Sequence, residues 1–273
     1  MFPIGTLRLS LAAACLLACV SALAGLAEVA EINGAEIYYE VHGQGEPLLL
    51  LHGFSGSGQV FADFLDEYSD RYQVILPDLR GHGRSTNPSG EFTHRQAAKD
   101  IYALLDRLGV DRVAGIGTST GGMTLLHMAT QQPKRITAMI LVGATIYFPE
   151  QAREIMRRSG PQSITPEYLE RARKTHKHGD DQIRALRQQF YDFNANYDDM
   201  SFTPPHLATI QARTLIVHGD RDQFFPVNIP LEMYRSIPNS SLWIIPNGRH
   251  GPHRQHPEEF LRLSKRFLAG DLK

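Results

Sequence analysis

The stretch Gly-Thr-Ser-Thr-Gly-Gly at residues 117–122 decides the fold. It follows the run Val-Ala-Gly-Ile at 113–116, which predicts a buried strand, and it precedes a helical pattern that stops before Pro133. A Gly-x-Ser-x-Gly sequence between a strand and a helix is typical of a nucleophile elbow. Such a turn places Ser119 at a positive φ with its hydroxyl at the tip, and the flanking glycines remove Cβ atoms that would collide. The alternative is a glycine-rich helix start in which Ser119 serves only as the capping residue.

On both sides of this turn, short β-rich runs alternate with helical patterns. The alternation predicts an α/β fold with a mostly parallel, doubly wound sheet. A first strand forms one arm of a hairpin turned at Asn33-Gly34, a capping box of Thr93 and Gln96 starts one helix, and Pro257 starts the last. The predicted strands cover residues 36–41, 48–51, 74–76, 113–116, 139–142, 214–217 and 242–245.

Later in the chain, an acid and a histidine each follow a predicted strand. His-Gly-Asp-Arg-Asp at 218–222 follows one strand, and Asn-Gly-Arg-His at 247–250 follows the next. The carboxyl ends of strands in an open α/β sheet converge on one crevice. We therefore expect Ser119, His250 and an acid of the 218–222 segment to meet there as nucleophile, base and orienting acid.

Further motifs extend this pattern over most of the chain. They are His-Gly-Phe at 52–54, Asp-Leu-Arg-Gly-His-Gly-Arg-Ser at 78–85, Gly-Asp-Arg-Asp at 219–222, and His250 with Pro257 and Phe260. From about Glu31 to the C-terminus, the chain resembles the esterase and lactonase group of the α/β-hydrolase family. The resemblance implies that Asp222 is the triad acid and that the backbone amides of Phe54 and Thr120 form the oxyanion hole. It also implies a helical cap between the sixth and seventh strands.

Two side chains near the predicted triad admit other roles. Asp220, the neighbouring acid, is expected to be a turn residue whose carboxylate caps local backbone amides. The chain departs from the family pattern where Arg249 separates Gly248 from His250, which leaves His253 as a weaker alternative for the histidine. His250, His253 and His256 recur every three residues, but Gly251 and the prolines argue against a helix that would align them on a metal.

These residues together predict a serine hydrolase that acts through an acyl-enzyme and requires neither cofactor nor metal. The favoured substrate is a small-molecule carboxylic ester or lactone. Cleavage of a C–C or amide bond and perhydrolysis are alternatives. A serine at the elbow argues against epoxide hydrolysis and dehalogenation, since those related branches place aspartate there. A binding protein that has lost turnover is the alternative from another class, since one fold hosts many functions.

Composition limits the partners. The 273 residues are 42% hydrophobic and 21% charged, with a net charge of −1, as in an ordinary globular protein. The basic residues are scattered and form no stripe, so nucleic acid is not an expected partner. The oligomeric state is open.

The N-terminus predicts export. No charged residue occurs from Leu9 to Ala27, Arg8 precedes this run, and Ala-Leu-Ala at 22–24 has the small-x-small pattern of a cleavage site. We interpret residues 1–24 as a signal peptide of a secreted or periplasmic protein, and residues 25–273 as the hydrolase domain with a cap at about 146–205. The alternatives are an uncleaved anchor and a lipoprotein acylated at Cys19. Cys15 and Cys19 both lie in this segment, so cleavage leaves a chain without cysteine.

Overall fold

In the computed structural model, which describes residues 25–272, eight strands form one sheet in the order β1-β2-β4-β3-β5-β6-β7-β8. β1 and β2 form an antiparallel hairpin, β2 pairs antiparallel with β4, and every other neighbouring pair is parallel. The predicted α/β class and mostly parallel sheet are therefore confirmed. The strands are Leu26–Ile32 (β1), Ala35–His42 (β2), Glu46–Leu51 (β3), Tyr72–Pro77 (β4), Val113–Thr118 (β5), Ile136–Val142 (β6), Arg213–Gly219 (β7) and Ser240–Ile245 (β8).

Helices cover both faces of this sheet. Alternate residues of β3 point to opposite sides, so that Leu49 and Leu51 belong to one buried apolar cluster and Leu48 and Leu50 to the other. This two-sided burial explains the continuous apolar run in the sequence. The helices are Ala62–Ser69 (α1), His94–Arg107 (α2), Thr120–Gln131 (α3), Glu150–Arg158 (α4), Pro166–Arg173 (α5), Gly179–Asp192 (α6), Pro204–Leu207 (α7), Asn228–Ser236 (α8), Pro252–Gln255 (α9) and Pro257–Ala269 (α10), with 3₁₀ turns at Gly58–Phe61, Pro161–Ser163 and Phe193–Ala195.

The start of α2 corrects one detail of the sequence analysis. Thr93 Oγ1 accepts the N–H of Gln96 at 3.0 Å, as a capping residue should. The Gln96 side chain, however, donates to Asp100 Oδ1 at 2.9 Å instead of reaching back to Thr93. Asp100 is a buried carboxylate that also binds Arg80, and it attracts the Gln96 amide into this network. Only half of the predicted capping box forms.

Helices α4 to α7, here called the cap, lie between β6 and β7. The cap is fastened to the loop after β4 by polar contacts. His176 Nδ1 accepts the N–H of Gly83 at 3.1 Å, and Gln182 Nε2 donates to the carbonyl of Gly81 at 3.0 Å. These bonds hold the cap against the loop that follows the carboxyl end of β4. Across residues 25–272, no helix is long and apolar enough to cross a membrane.

Candidate active site

The turn between β5 and α3 has the geometry expected of the elbow. Ser119 has φ 51° and ψ −117°, and its N–H donates to the carbonyl of Val142 at 2.8 Å. A Cβ on Gly117 would lie 2.5 Å from the backbone of Gly121, and a Cβ on Gly121 would lie 2.1 Å from the carbonyl oxygen of Leu51. Only glycine fits at these two positions, so the strained serine is imposed by its surroundings.

Three predicted side chains meet in a continuous hydrogen-bonded chain. Ser119 Oγ lies 2.9 Å from His250 Nε2, and His250 Nδ1 lies 2.8 Å from Asp222 Oδ2. The Asp222 side chain is fully buried, and its other oxygen accepts the amides of Phe224 at 2.7 Å and Phe225 at 3.2 Å. The backbone thus fixes the carboxylate and leaves Oδ2 for the imidazole. A neutral His250 that donates from Nδ1 has its Nε2 lone pair directed at the serine hydroxyl.

Asp220 does not have the role predicted for it. Its carboxylate is one-third exposed and accepts no hydrogen bond from the described part of the chain, since Arg221 Nε lies 4.0 Å from Oδ1. The two amides of this turn are bound by Asp222 instead. The prediction that Asp220 caps local amides is therefore wrong, because the buried carboxylate of the same loop already occupies them.

The two predicted oxyanion donors belong to two segments that meet at the nucleophile. Phe54 follows β3, and Thr120 is the first residue of α3, where the positive end of the helix dipole favours an anion. A Cβ on Gly53 would lie 3.4 Å from Ser119 Cβ, so the loop that carries Phe54 passes beside the serine. Within residues 25–272, neither amide donates to a protein acceptor. Both are free to bind a developing oxyanion.

His253, the alternative histidine, lies away from this chain of bonds. Its ring is 3% exposed and packs between Phe64 and Phe260, at centroid distances of 6.0 and 5.5 Å. Neither ring nitrogen has a hydrogen-bond partner among the described residues. Burial lowers the pKa of His253 to about 3. This histidine is a packing residue of α9, a helix that the sequence analysis did not expect.

The buried His253 predicts a pH dependence of stability. The native state keeps this ring neutral where the unfolded chain, with a pKa near its ordinary value of 6.5, binds a proton. Its contribution to the free energy of unfolding is therefore complete above pH 6.5 and falls toward pH 3, by at most about 1.4 kcal/mol per pH unit. We expect His253→Phe to reduce this slope and the exposed His206→Phe to leave it unchanged in urea unfolding at pH 4 to 7. Identical slopes in all three proteins would contradict this interpretation.

A cavity of about 800 Å³ opens above Ser119, between the strand ends and the cap. Three phenylalanine residues of the segment between β6 and β7, Phe148, Phe190 and Phe193, line it. The walls are largely aromatic and aliphatic, as in most small-molecule sites. The apolar lining residues are Phe54, Val60, Met123, Phe148, Ile155, Met156, Leu186, Phe190, Phe193, Phe224 and Phe225.

Two polar residues of this cavity were missed by the sequence analysis, His94 and Arg187. His94 Nδ1 lies 2.6 Å from Asp199 Oδ2, and its Nε2 is buried without a partner among residues 25–272. Burial alone would raise the pKa of Asp199, but hydrogen bonds from the ring and amide of His94 and the amide of Arg95 lower it to about 2. Neither residue belongs to a local motif, so only the folded chain brings them to the cavity. Across the described residues, no group of three or more His, Cys, Asp or Glu side chains is arranged to hold a metal.

Comparison with known proteins identifies the family. The family model described as alpha/beta hydrolase fold matches residues 46–176. The mouse protein named serine hydrolase BPHL is 31% identical over 248 residues, which cover 87% of this chain and 84% of that protein. The chain belongs to the α/β-hydrolase family. This α/β-hydrolase is also similar to the 2-hydroxymuconate semialdehyde hydrolase of Pseudomonas putida, with 28% identity over 265 residues that cover 88% and 93% of the two chains.

Solved α/β-hydrolase structures share the same architecture. The thermophilic esterase of Thermogutta terrifontis superposes with a TM-score of 0.73 and 24% identity, over 89% of this chain and 98% of that one. At this level of identity the likeness concerns the fold. The chemistry must be argued from the residues of this cavity.

Proposed function

We propose that this protein is a serine hydrolase that cleaves a carboxylic ester or lactone of a small molecule. The observation that carries the proposal is the unbroken chain from Asp222 through His250 to Ser119, at the floor of an apolar cavity. A nucleophile, a base and an orienting acid in hydrogen-bond contact are what acyl transfer requires. The name of the mouse relative, a serine hydrolase, is consistent with this chemistry.

The mechanism follows from these positions. His250 Nε2 takes the Ser119 proton as Oγ attacks the substrate carbonyl, and Asp222 stabilises the resulting imidazolium. The amides of Phe54 and Thr120 bind the oxyanion of the tetrahedral intermediate. The alkoxide leaves with the proton from His250, and an acyl-enzyme remains on Ser119. A water molecule activated by His250 then releases the acid, so protein groups alone perform every proton transfer.

Hydrolysis of a C–C bond is the second candidate. The similarity to the 2-hydroxymuconate semialdehyde hydrolase of Pseudomonas putida favours it, since that name describes a different substrate class. The same three side chains could serve, provided that the carbon leaving group is protonated. The two candidates thus differ in the substrate and not in the nucleophile.

A substrate panel separates the two candidates. We expect the protein to hydrolyse p-nitrophenyl esters of increasing acyl length, or simple lactones, at rates well above background, because the free amides and the serine need only an activated carbonyl. Release of p-nitrophenolate and base uptake are the measurements, with the vinylogous 1,5-diketone substrates of C–C hydrolases alongside. Turnover of the diketones without any ester or lactone turnover would favour the second candidate instead.

We further propose that the protein is exported and that its partner is a small molecule and not a nucleic acid. The predicted signal peptide, residues 1–24, lies outside the described residues. The first strand begins at Leu26 and pairs along its whole length with β2, so cleavage after Ala24 removes no described strand. We expect the intact mass of the protein from its native host to correspond to a chain that starts at Gly25. A chain that starts at an acylated Cys19, or one that retains Met1, would contradict this cleavage.

A further inference from the structure

The cap contributes one arginine to the cavity that contains Ser119. Arg187 lies on α6, is half-buried and lines this cavity. Its Nη2 donates to Ser163 Oγ, and its guanidinium carbon lies 4.8 Å from the centre of the Tyr168 ring. Two contacts from other parts of the cap therefore hold the planar group in place, and neither neutralises its charge.

The charge of Arg187 has no anionic partner among the described residues. Arg187 forms no ion pair with a described carboxylate, its one side-chain hydrogen bond is to Ser163, and its Nε is buried without a hydrogen-bond acceptor. Arginine cannot shed its proton in a protein, and an unpaired charge costs free energy when it leaves water. A partly buried guanidinium whose Nε has no acceptor, and whose charge no described carboxylate balances, therefore indicates that a ligand supplies the anion.

The charge of the rest of the cavity agrees with an anionic ligand. None of the residues that line it is Asp or Glu, and the only other lining residue with a permanent charge is the exposed Arg254 on α9. The remaining walls are largely aromatic and aliphatic. Such a cavity fits a molecule with an apolar middle, a reactive carbonyl at one end and a negative charge at the other.

We propose that Arg187 binds a carboxylate of the substrate, so that this protein selects anionic esters, such as half-esters of dicarboxylic acids, over neutral ones. The inference rests on the proposed function, since it concerns the same cavity and the same nucleophile. A guanidinium matches a carboxylate in shape and charge, and two parallel N–H···O bonds fix its orientation. Holding the far end of the substrate in this way positions its carbonyl at Ser119.

A matched pair of substrates tests the proposal. p-Nitrophenyl hydrogen adipate and its methyl ester differ only in the charge of the distal group, and the suberate pair extends the reach. Wild type should give a higher kcat/KM for the acid than for the methyl ester. Arg187→Gln should lower this ratio about 10- to 100-fold, the range of a hydrogen bond to a charged group. Arg187→Lys should retain part of the preference, and the preference should weaken with salt.

Control variants on the same elements separate recognition from structure. Arg184 is an exposed arginine on α6 that does not line the cavity, and Arg184→Gln should leave both the ratio and the turnover unchanged. An equal loss on both substrates in Arg187→Gln would assign a structural role and overturn the proposal. A wild type without preference for the acid would also overturn it. The same holds if the preference is lost in Arg254→Gln but kept in Arg187→Gln.

Binding to an inactive variant keeps this test separate from that of the hydrolase proposal. Monomethyl adipate should bind Ser119→Ala more tightly than dimethyl adipate in isothermal titration calorimetry, and Arg187→Gln in the same background should abolish the difference. If no ester is hydrolysed but this difference is observed, the hydrolase proposal fails and the anion site stands. If esters are hydrolysed without any such difference, the anion site fails alone.

Discussion

Ser119→Ala is expected to lower kcat on the best ester substrate by about 10⁶-fold, the scale of triad deletions in subtilisin. The loss is large because Ser119 Oγ is the atom that forms the covalent bond to the substrate, and no described side chain could replace it at the elbow. Folding should be unaffected. The hydroxyl bonds only to His250, and alanine meets the same strain at φ 51° as serine does. Stopped assays with p-nitrophenyl esters, together with circular dichroism and thermal unfolding, measure both effects.

A surface serine provides the control for this variant. Ser89 lies in an exposed loop outside the cavity, and Ser89→Ala should retain the wild-type rate and melting temperature. A folded Ser119→Ala protein with near-normal turnover of its best substrate would contradict the serine mechanism. A variant that fails to fold would be replaced by Ser119→Cys, which preserves the shape of the elbow and should be strongly impaired on esters.

The second large effect is expected at the acid. Asp222→Asn preserves the size of the buried side chain. Its amide, however, presents to His250 Nδ1 either an uncharged oxygen or an N–H donor in place of the carboxylate. In the serine-protease template, this change favours the wrong imidazole tautomer and costs about 10⁴ in kcat. Asp220→Asn, two residues away on the same loop, should keep kcat within about tenfold, because its carboxylate is partly exposed and lies outside the chain of bonds.

Comparison of these two variants tests the acid assignment directly. Both should fold, because the Oδ1 position of Asp222→Asn still accepts the amides of Phe224 and Phe225. Asp222→Asn should be somewhat less stable, since it loses the buried carboxylate that binds His250. The measurement is kcat and KM on one ester, alongside urea unfolding. If Asp220→Asn were the impaired variant and Asp222→Asn the active one, the acid would be misassigned, while the roles of Ser119 and His250 would be unaffected.

The sequence predicts those features that depend on local pattern and strand order. Gly117 and Gly121 indicate the elbow because two neighbouring backbones exclude any Cβ there. His250 and an acid of the 218–222 segment could be placed near Ser119 without a structure, since the carboxyl ends of β5, β7 and β8 lie at one edge of the sheet. The choice of Asp222 came from the resemblance to the family. Local motif and strand order therefore predict the elbow and the part of the site that gathers around Ser119.

Features that depend on long-range packing could not be predicted in this way. The Gln96 side chain binds Asp100 because Arg80, which lies outside this helix, holds that carboxylate in place. Arg187 reaches the cavity only because the cap folds back over the strand ends, and nothing in its neighbourhood in the sequence distinguishes it from Arg184 on the same helix. Such contacts are fixed by the tertiary fold and leave no periodic signal.

The central claim, that Ser119 is the nucleophile, is tested most directly by covalent labelling. A p-nitrophenyl phosphonate transfers its phosphonyl group to an activated serine and releases p-nitrophenolate, and the adduct imitates the tetrahedral intermediate held by His250 and the amides of Phe54 and Thr120. We predict a single adduct per chain in the intact mass, located on Ser119 by peptide mapping and absent from Ser119→Ala. An adduct on another residue, or a folded and unlabelled wild type, would contradict this account.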